Sequence, residues 1–281
     1  MTTVSPATIA VTGATGQLGR LAIAALQARG AAPIALARDP SKVTGVAARA
    51  FDYTAPDAAA LAGVEVLVLI SSNDFNDRAG QHRNVIAAAK AAGVKRLIYT
   101  SILKGDASPM LLTRDHVATE AALATSGLAV TVLRNGWYTE NYLSALPVVL
   151  EHGAVLGASG EGRVSSASRA DYAEAIAVTA LDAAHAGKIY ELAGDTSYTL
   201  ADLAAEIAAQ SGKPVRFVNL PQAEYTKALE GFGLPAGFAA DLGDAETRAG
   251  EGALFDDSHT LSRLIGRATT PMADAVRAAL A

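Results

Sequence analysis

Three glycines near the start of the chain have the spacing of a phosphate-binding turn. They follow the apolar run Ile9–Thr12 and precede the apolar-striped run Arg20–Ala28. In such a turn Gly13 permits a sharp exit from a strand, Gly16 lets a pyrophosphate approach the backbone, and Gly19 permits close packing of the helix. The helix N-terminus adds unpaired N–H groups and a positive dipole end. The pattern predicts a dinucleotide bound by Gly13, Ala14, Thr15, Gly16, Gln17 and Leu18.

The form of the dinucleotide depends on Arg38, which ends the second apolar run, Pro33–Ala37. In NAD-binding folds this position carries an acid for the ribose 2′-hydroxyl, whereas an arginine pairs with a 2′-phosphate. We therefore expect NADP(H). An ordinary surface arginine after a strand is the alternative interpretation.

Polar residues stand at the ends of further apolar runs. Ser71 and Ser72 follow Val64–Ile70, Ser101 ends the run that begins at Arg96, and Asn135 with Gly136 comes shortly after Ala129–Leu133. Strands that alternate with helices at these distances require parallel β-α-β units. We predict an α/β fold, a Rossmann-type doubly wound parallel sheet with a smaller C-terminal α/β substrate lobe. Its ligand belongs outside the carboxyl ends of the strands. The predicted domains are an NADP-binding domain (1–135) and a mainly substrate lobe (136–281), with a return to the sheet around 164–192.

The most aromatic stretch is Arg134–Tyr142, in a chain with 5% aromatic residues and a single tryptophan. Aromatic faces and Asn amides suit a flat, conjugated substrate. The predicted substrate contacts are Trp137, Tyr138, Asn141 and Tyr142. For Trp137, a packing role between the lobes is an alternative of nearly equal weight. We also expect His82, on the apolar face of its helix, to be a packed or capped residue rather than a catalytic one. The residues from Gly231 to Gly237 are expected to form a loop.

Composition excludes several classes of function. The 281 residues are 51% hydrophobic, with a net charge of −5 and no basic block, so we expect no nucleic-acid partner. Without cysteine, disulfides and thiolate catalysis are excluded, and the five histidines show no metal-binding spacing. No apolar run is long enough for a membrane helix, and Met1–Thr8 lack a secretory pattern. We expect a cytoplasmic protein without a metal site. The oligomeric state is not encoded in any pattern that we recognise.

Together these motifs resemble the NmrA-like group of atypical short-chain dehydrogenase/reductases, over nearly the whole chain. Within that group the likeness is to bacterial type 2 NAD(P)H:quinone oxidoreductases first and to triphenylmethane-dye reductases second. The resemblance implies NADPH bound by Gly13–Leu18, Arg38 and the Asn135 region, and a small quinone as substrate. It is carried by Val11–Gly19, Ala37–Pro40, Gln81–Ile86, Lys90–Lys95, Tyr99–Ser101, Leu133–Tyr142 and Arg169–Tyr172.

One departure from the wider superfamily bears on mechanism. Its active classical and extended members use a Tyr-x-x-x-Lys pair, in which the tyrosine donates the proton and the lysine lowers the tyrosine's pKa. In this chain Leu112 stands at the tyrosine position and His116 at the lysine position. Hydride transfer to an acceptor whose reduced form is a stable anion remains feasible, as does a non-catalytic NADP(H)-sensing regulator. A capping or orienting role for His116 is favoured over catalysis.

Overall fold

The computed structural model describes residues 7–74 and 76–281, so the expectation about Met1–Thr8 falls mainly outside the described residues. The chain divides into two compact units. Unit 1 contains the described residues up to Ile102, together with Asp115–Arg134 and Arg169–Tyr190. Unit 2 contains Leu103–Arg114, Asn135–Ser168 and Glu191–Ala281.

The main sheet has the strand order β3-β2-β1-β4-β5-β6-β8. Val11 of β1 pairs in parallel with Ala35 of β2 on one side and with Val68 of β4 on the other. The order therefore reverses between β1 and β4, which is where doubly wound sheets bind ligands. The predicted Rossmann-type sheet is confirmed. Its strands are β1 (Ile9–Val11), β2 (Ile34–Ala37), β3 (Ala47–Ala50), β4 (Val66–Leu69), β5 (Arg96–Ile102), β6 (Ala129–Asn135) and β8 (Ile189–Leu192).

Four helices of unit 1 connect these strands: α1 (Gln17–Ala28), α2 (Arg78–Ala91), α3 (Arg114–Ala124, from Asp115 onward in this unit) and α6 (Arg169–Leu181). Helices α1 and α6 pack together. The apolar face of α2, with Val85 and Ala89, is buried on β4 and β5 in one cluster that includes Leu67 and Leu97. Burial of both sheet faces explains why the strands are continuous apolar runs.

Unit 2 is built around a short parallel pair, β7 (Ala154–Gly157) with β9 (Arg216–Asn219). Its main core cluster includes Leu146, Leu200 and Ile207. A capping box begins α7 (Leu200–Ser211), because Thr199 and Asp202 each accept a hydrogen bond from the other's backbone N–H. The helices are α4 (Thr139–Leu143), α5 (Leu146–His152), α7 (Leu200–Ser211), α8 (Gln222–Gly231), α9 (Ala236–Gly250), α10 (Thr260–Ile265) and α11 (Met272–Leu280).

Two local differences from the sequence prediction occur in unit 2. The loop expected over Gly231–Gly237 is shorter, because Gly231 still belongs to α8 and α9 begins at Ala236 after Pro235. Helices α4 and α5 and strand β7 carry no clear periodicity and were not predicted. No helix in residues 7–74 and 76–281 combines the length and apolar character that a membrane span requires.

Candidate dinucleotide-binding site and acceptor segment

The glycine turn owes its shape to Gly13, whose φ of 60° is left-handed. Its carbonyl accepts a hydrogen bond from Gly16 N at 2.9 Å. A Cβ on Gly19 would collide with that same carbonyl. Gly19 thus permits close packing of α1 on the turn itself, rather than on the sheet as the sequence suggested. Gly16 is exposed, and a Cβ there would meet only the Gly13 carbonyl oxygen, at 3.2 Å.

The N-terminus of α1 has no side-chain cap and no acidic residue in its first turn. The first N–H groups of a helix lack partners within it, and together with the dipole they attract anions. Of the predicted contacts in the turn, Gly16 and Gln17 are exposed, Gly13 and Thr15 are half-buried, and the side chains of Ala14 and Leu18 are buried. Only backbone groups of the last two can face a ligand.

Arg38 is exposed at the end of β2, as the sequence predicted. The neighbouring carboxylate of Asp39 is occupied by Ser41, whose N–H and hydroxyl donate to it at 3.1 and 2.6 Å. Hydrogen bonds from Thr54 and, to a smaller extent, the charge of Arg38 lower the pKa of Asp52. Arg38 therefore lies near one ionised carboxylate but forms no ion pair with it within 4 Å among the described residues.

The segment after β4 is held by side chains at the start of α2. The Ser72 N–H donates to His82 Nε2 at 2.9 Å, and the Ser72 carbonyl accepts from Arg78 Nε at 2.8 Å. The Ser72 hydroxyl donates to Gln81 Oε1 at 2.6 Å and is turned inward. By contrast, the buried hydroxyl oxygen of Ser71 makes no hydrogen bond within the protein. Of the two predicted serines, Ser71 is the better placed to accept a ligand.

The protonation of His82 follows from its contacts. Thr119 donates its hydroxyl proton to the Asp115 carbonyl at 2.7 Å, so it accepts from His82 Nδ1 at 2.9 Å. His82 therefore carries its proton on Nδ1 and accepts at Nε2. Burial, and secondarily the charge of Arg78, lowers its pKa to about 3, so the ring is neutral. The expected packing of His82 on the apolar face of α2 is confirmed.

His116 is also buried, with 8% of its surface exposed. Its Nδ1 lies 2.8 Å from the Tyr99 hydroxyl. Burial, and secondarily the charge of Arg78, holds the pKa of His116 well below the ordinary value, while burial raises that of Tyr99. Neither group is poised to exchange protons near neutral pH. This geometry agrees with an orienting role for His116.

Ser101, at the end of β5, is directed into the protein. Its hydroxyl donates to Glu120 Oε1 at 2.5 Å, and Glu120 forms a partly buried ion pair with Arg134 at 2.6 Å. A further support, missed from the sequence, is Tyr53, whose hydroxyl lies 2.6 Å from Thr12 Oγ1 and 2.7 Å from the Ile70 carbonyl. Tyr53 thereby ties the ends of β1 and β4 together beside Gly13. Only its position after β3 could have indicated this.

The acceptor segment, residues 135–142, lies in unit 2. Asn135 is 3% exposed, and its side-chain Nδ2 donates to the Tyr138 hydroxyl at 3.4 Å. The side-chain oxygen Oδ1 of Asn135 is buried and makes no hydrogen bond. Gly136 N donates to the Leu192 carbonyl at 2.7 Å, so this N–H is occupied. The rings of Trp137 and Tyr142 are 6.5 Å apart and tilted by 47°. Of the predicted aromatic residues, Trp137 and Tyr142 therefore lie near each other, and Asn141 lies in the short helix α4.

The described residues contain no cluster of three or more His, Asp or Glu side chains that could hold a metal ion. The candidate site in unit 1 consists of the glycine turn, the uncapped N-terminus of α1 and the exposed side chain of Arg38, all at one end of the parallel sheet. These are the features that bind a dinucleotide. A family model described as NAD(P)H-binding matches residues 13–183.

The chain belongs to the NAD(P)H-binding family.

Similarity to individual proteins extends over almost the full chain. It is 50% identical over 277 residues to quinone oxidoreductase 2 of Escherichia coli K12, covering 95% of this chain and 97% of the relative. A solved structure of the Escherichia coli NADPH-dependent quinone oxidoreductase in complex with NADPH superposes with a TM-score of 0.91 at 50% identity, covering 96% and 99% of the two chains.

Two more distant likenesses confirm the expected NmrA-like resemblance. The triphenylmethane reductase of Citrobacter sp., solved with NADP(H), is 33% identical with a TM-score of 0.90, covering 97% of this chain and all of the other. An NmrA-like family domain-containing oxidoreductase of Aspergillus flavus is 30% identical over 288 residues, covering 95% and 93%.

Proposed function

We propose that this protein is an NADPH-dependent quinone oxidoreductase. The observation that carries the proposal is the 50% identity, over 95% of the chain, to a relative named for this activity. The solved structure of such an enzyme with NADPH adds support for the cofactor. We also expect the protein to be cytoplasmic and to need no partner other than a small quinone.

The residues of the site fit the cofactor. Exposed Gly16 leaves room for a pyrophosphate at the uncapped end of α1. The exposed guanidinium of Arg38 offers a bidentate partner for a 2′-phosphate. The Ser71 hydroxyl oxygen and, in unit 2, the side-chain amide oxygen Oδ1 of Asn135 are buried without a hydrogen bond within the protein, as expected of groups that a ligand satisfies. When bound, reduced nicotinamide supplies the hydride.

The protein itself provides placement rather than a proton. Leu112 has no exchangeable proton, and His116 is neutral, buried and hydrogen-bonded to Tyr99. A quinone suits this arrangement because its reduced form is a stable anion that water can protonate. We infer direct hydride transfer without a Tyr/Lys donor. A simple ketone needs a positioned acid and should not react.

For the acceptor we propose the aromatic segment in unit 2. Tyr138 and Trp137 are half-buried, so part of each ring is accessible. We favour stacking on Tyr138, with Trp137 as an anchor. Tyr138→Ala should then raise the KM for quinone while leaving the Kd of NADPH unchanged. If both Tyr138→Ala and Trp137→Ala leave this KM unaltered in folded protein, the acceptor binds elsewhere.

The activity itself is tested by following NADPH oxidation with 1,4-benzoquinone, with a triphenylmethane dye and with no acceptor. We expect rapid oxidation with the quinone. A strong preference for the dye would favour the dye-reductase alternative, which the 33% identity to the Citrobacter enzyme supports. Tight NADPH binding without turnover on either acceptor would favour the sensing regulator.

A further inference from the structure

A buried carboxyl group that the proposed reaction does not use is hydrogen-bonded to the acceptor segment. Glu246 of α9 is 3% exposed. Its Oε1 accepts a hydrogen bond from the Tyr142 hydroxyl at 2.8 Å. Its Oε2 is buried and makes no hydrogen bond of ordinary geometry, although the Ser159 hydroxyl and the Ala158 N–H lie close enough to interact with the carboxyl group. Buried polar groups without partners are rare in proteins and call for a reason.

Among the described residues, the groups that act on Glu246 are dipoles and phenols, and none of them is a cation. The end of β7 faces it closely, since a Cβ on Gly157 would lie 3.2 Å from Oε2. The titratable groups that interact with it are Tyr142, Tyr198 and Tyr225. Within the described residues no charged side chain compensates its ionised form.

Burial raises the pKa of Glu246, and the dipoles of Tyr142, Ser159 and the Ala158 N–H offset this only in part. The carboxyl group therefore keeps its proton to a higher pH than an exposed glutamate does. A neutral acid can keep a phenol in place without the cost of a buried charge. Burial, and secondarily Glu246, also raises the pKa of Tyr142, so the phenol is un-ionised as well.

The consequence reaches the aromatic rings. Because the hydroxyl end of Tyr142 is hydrogen-bonded to Glu246, the direction of its side chain is restrained beside Trp137, whose ring centroid is 6.5 Å away. We propose that Glu246 is a positioning residue, which through its hydrogen bond to Tyr142 fixes the aromatic surface that the acceptor contacts. This rests on the proposed function, in which residues 135–142 bind the acceptor.

Two readouts separate the proposal from the activity on which it rests. Trp137 is the only tryptophan, so its fluorescence reports on the ring beside Tyr142 without any turnover. Quenching of Trp137 by 1,4-benzoquinone, measured without NADPH, gives acceptor affinity. Because the chain has no cysteine, the quinone has no thiol to alkylate. Steady-state NADPH oxidation then gives KM and kcat separately.

The variants are Glu246→Leu, which removes the hydrogen bond, and Glu246→Gln, which retains a neutral acceptor for Tyr142. Tyr142→Phe removes the bond from its other end, and a double variant combines it with Glu246→Leu. Glu230→Leu, at an exposed position of α8, is the control for the same substitution on the protein surface. Thermal melts establish that each variant is folded.

We expect Glu246→Leu to shift the emission of Trp137. It should also weaken quinone affinity and raise the KM for quinone, each about tenfold, as expected for the loss of one hydrogen bond. The kcat and the affinity for NADPH should stay nearly unchanged. Glu246→Gln should restore the wild-type spectrum and KM to within about twofold, since the fixed geometry is kept. In the Tyr142→Phe background, Glu246→Leu should cost nothing further, because interacting residues are not additive.

Unaltered Trp137 emission and quenching in both Glu246→Leu and Tyr142→Phe would overturn the proposal. So would additive effects in the double variant, or a Gln variant that behaves like Leu. If Glu246→Leu fails to fold, Tyr142→Phe and Glu246→Gln still decide the matter by the same two readouts. If wild-type protein does not reduce quinone, the proposed function fails, whereas the fluorescence results continue to test the positioning role.

Discussion

Substitution of Gly19 by alanine should damage both stability and cofactor binding. The added methyl group would collide with the Gly13 carbonyl and crowd the Ala14 Cα, all of them backbone atoms that cannot rotate away. Overpacking of this kind costs about 1–3 kcal/mol, and the better helix propensity of alanine returns about 0.5–1 kcal/mol. The net loss of up to about 2.5 kcal/mol corresponds to a Tm lower by up to about 4 °C for a chain of this size.

Displacement of the Gly13 carbonyl should also misplace the backbone N–H groups that receive the pyrophosphate, so we expect NADPH to bind at least about tenfold more weakly. Gly16→Ala provides a contrast, because its methyl group meets little protein but projects toward the ligand: NADPH affinity should fall with a smaller change in Tm. Gly237→Ala, in open space within α9, is the control for a harmless substitution. Differential scanning fluorimetry and NADPH titration measure both quantities. Wild-type Tm and Kd in Gly19→Ala would refute the reasoning.

Three further outcomes are expected. NADPH should bind at least about tenfold tighter than NADH, because a charge-assisted contact between Arg38 and the 2′-phosphate contributes about 1.5–3 kcal/mol. Arg38→Ala should remove most of that difference. Equal Kd values for the two cofactors in wild-type protein would contradict this. His116→Ala should lower kcat for quinone less than about tenfold, whereas the loss of a general acid would lower kcat about 10²–10⁴-fold. A kcat about a hundredfold lower, with intact NADPH binding, would identify His116 as the acid. The pKa of Glu246 is raised above its usual 4.5 in the folded state. Its protonated form therefore contributes stability at low pH that is lost as pH rises through the folded pKa. The difference in Tm between Glu246→Gln and wild type should therefore increase as pH rises through the folded pKa of Glu246. A Tm difference that stays constant with pH would show that folding does not raise this pKa.

The unit 1 site could be predicted largely because its signals are local. The glycine turn, Arg38 and the apolar strands each occupy a short stretch whose spacing has a direct geometric meaning. What the sequence could not show is how side chains behind the site are paired. Ser72 and Ser71 look equivalent in the sequence, yet one hydroxyl is bonded to Gln81 and the other has no protein partner.

Unit 2 was harder to predict for two physical reasons. Helix α4 has five residues and β7 has four, too few for a periodic pattern to emerge. The contact between Tyr142 and Glu246 joins residues 104 positions apart, so no local spacing could indicate it. The aromatic composition of the acceptor segment was visible, but the carboxyl group that fixes one of its rings was not. Its role, like the substrate contacts themselves, remains a proposal.

The central claim is direct hydride transfer from NADPH to a quinone without a proton donor from the protein. The most direct measurement is single-turnover oxidation of NADPH by 1,4-benzoquinone, comparing cofactor deuterated at the transferred position with unlabelled cofactor, in H₂O and in D₂O. The account predicts a large primary isotope effect from the cofactor label and almost none from the solvent. A solvent effect as large as that of the label, or no oxidation at all, would contradict it.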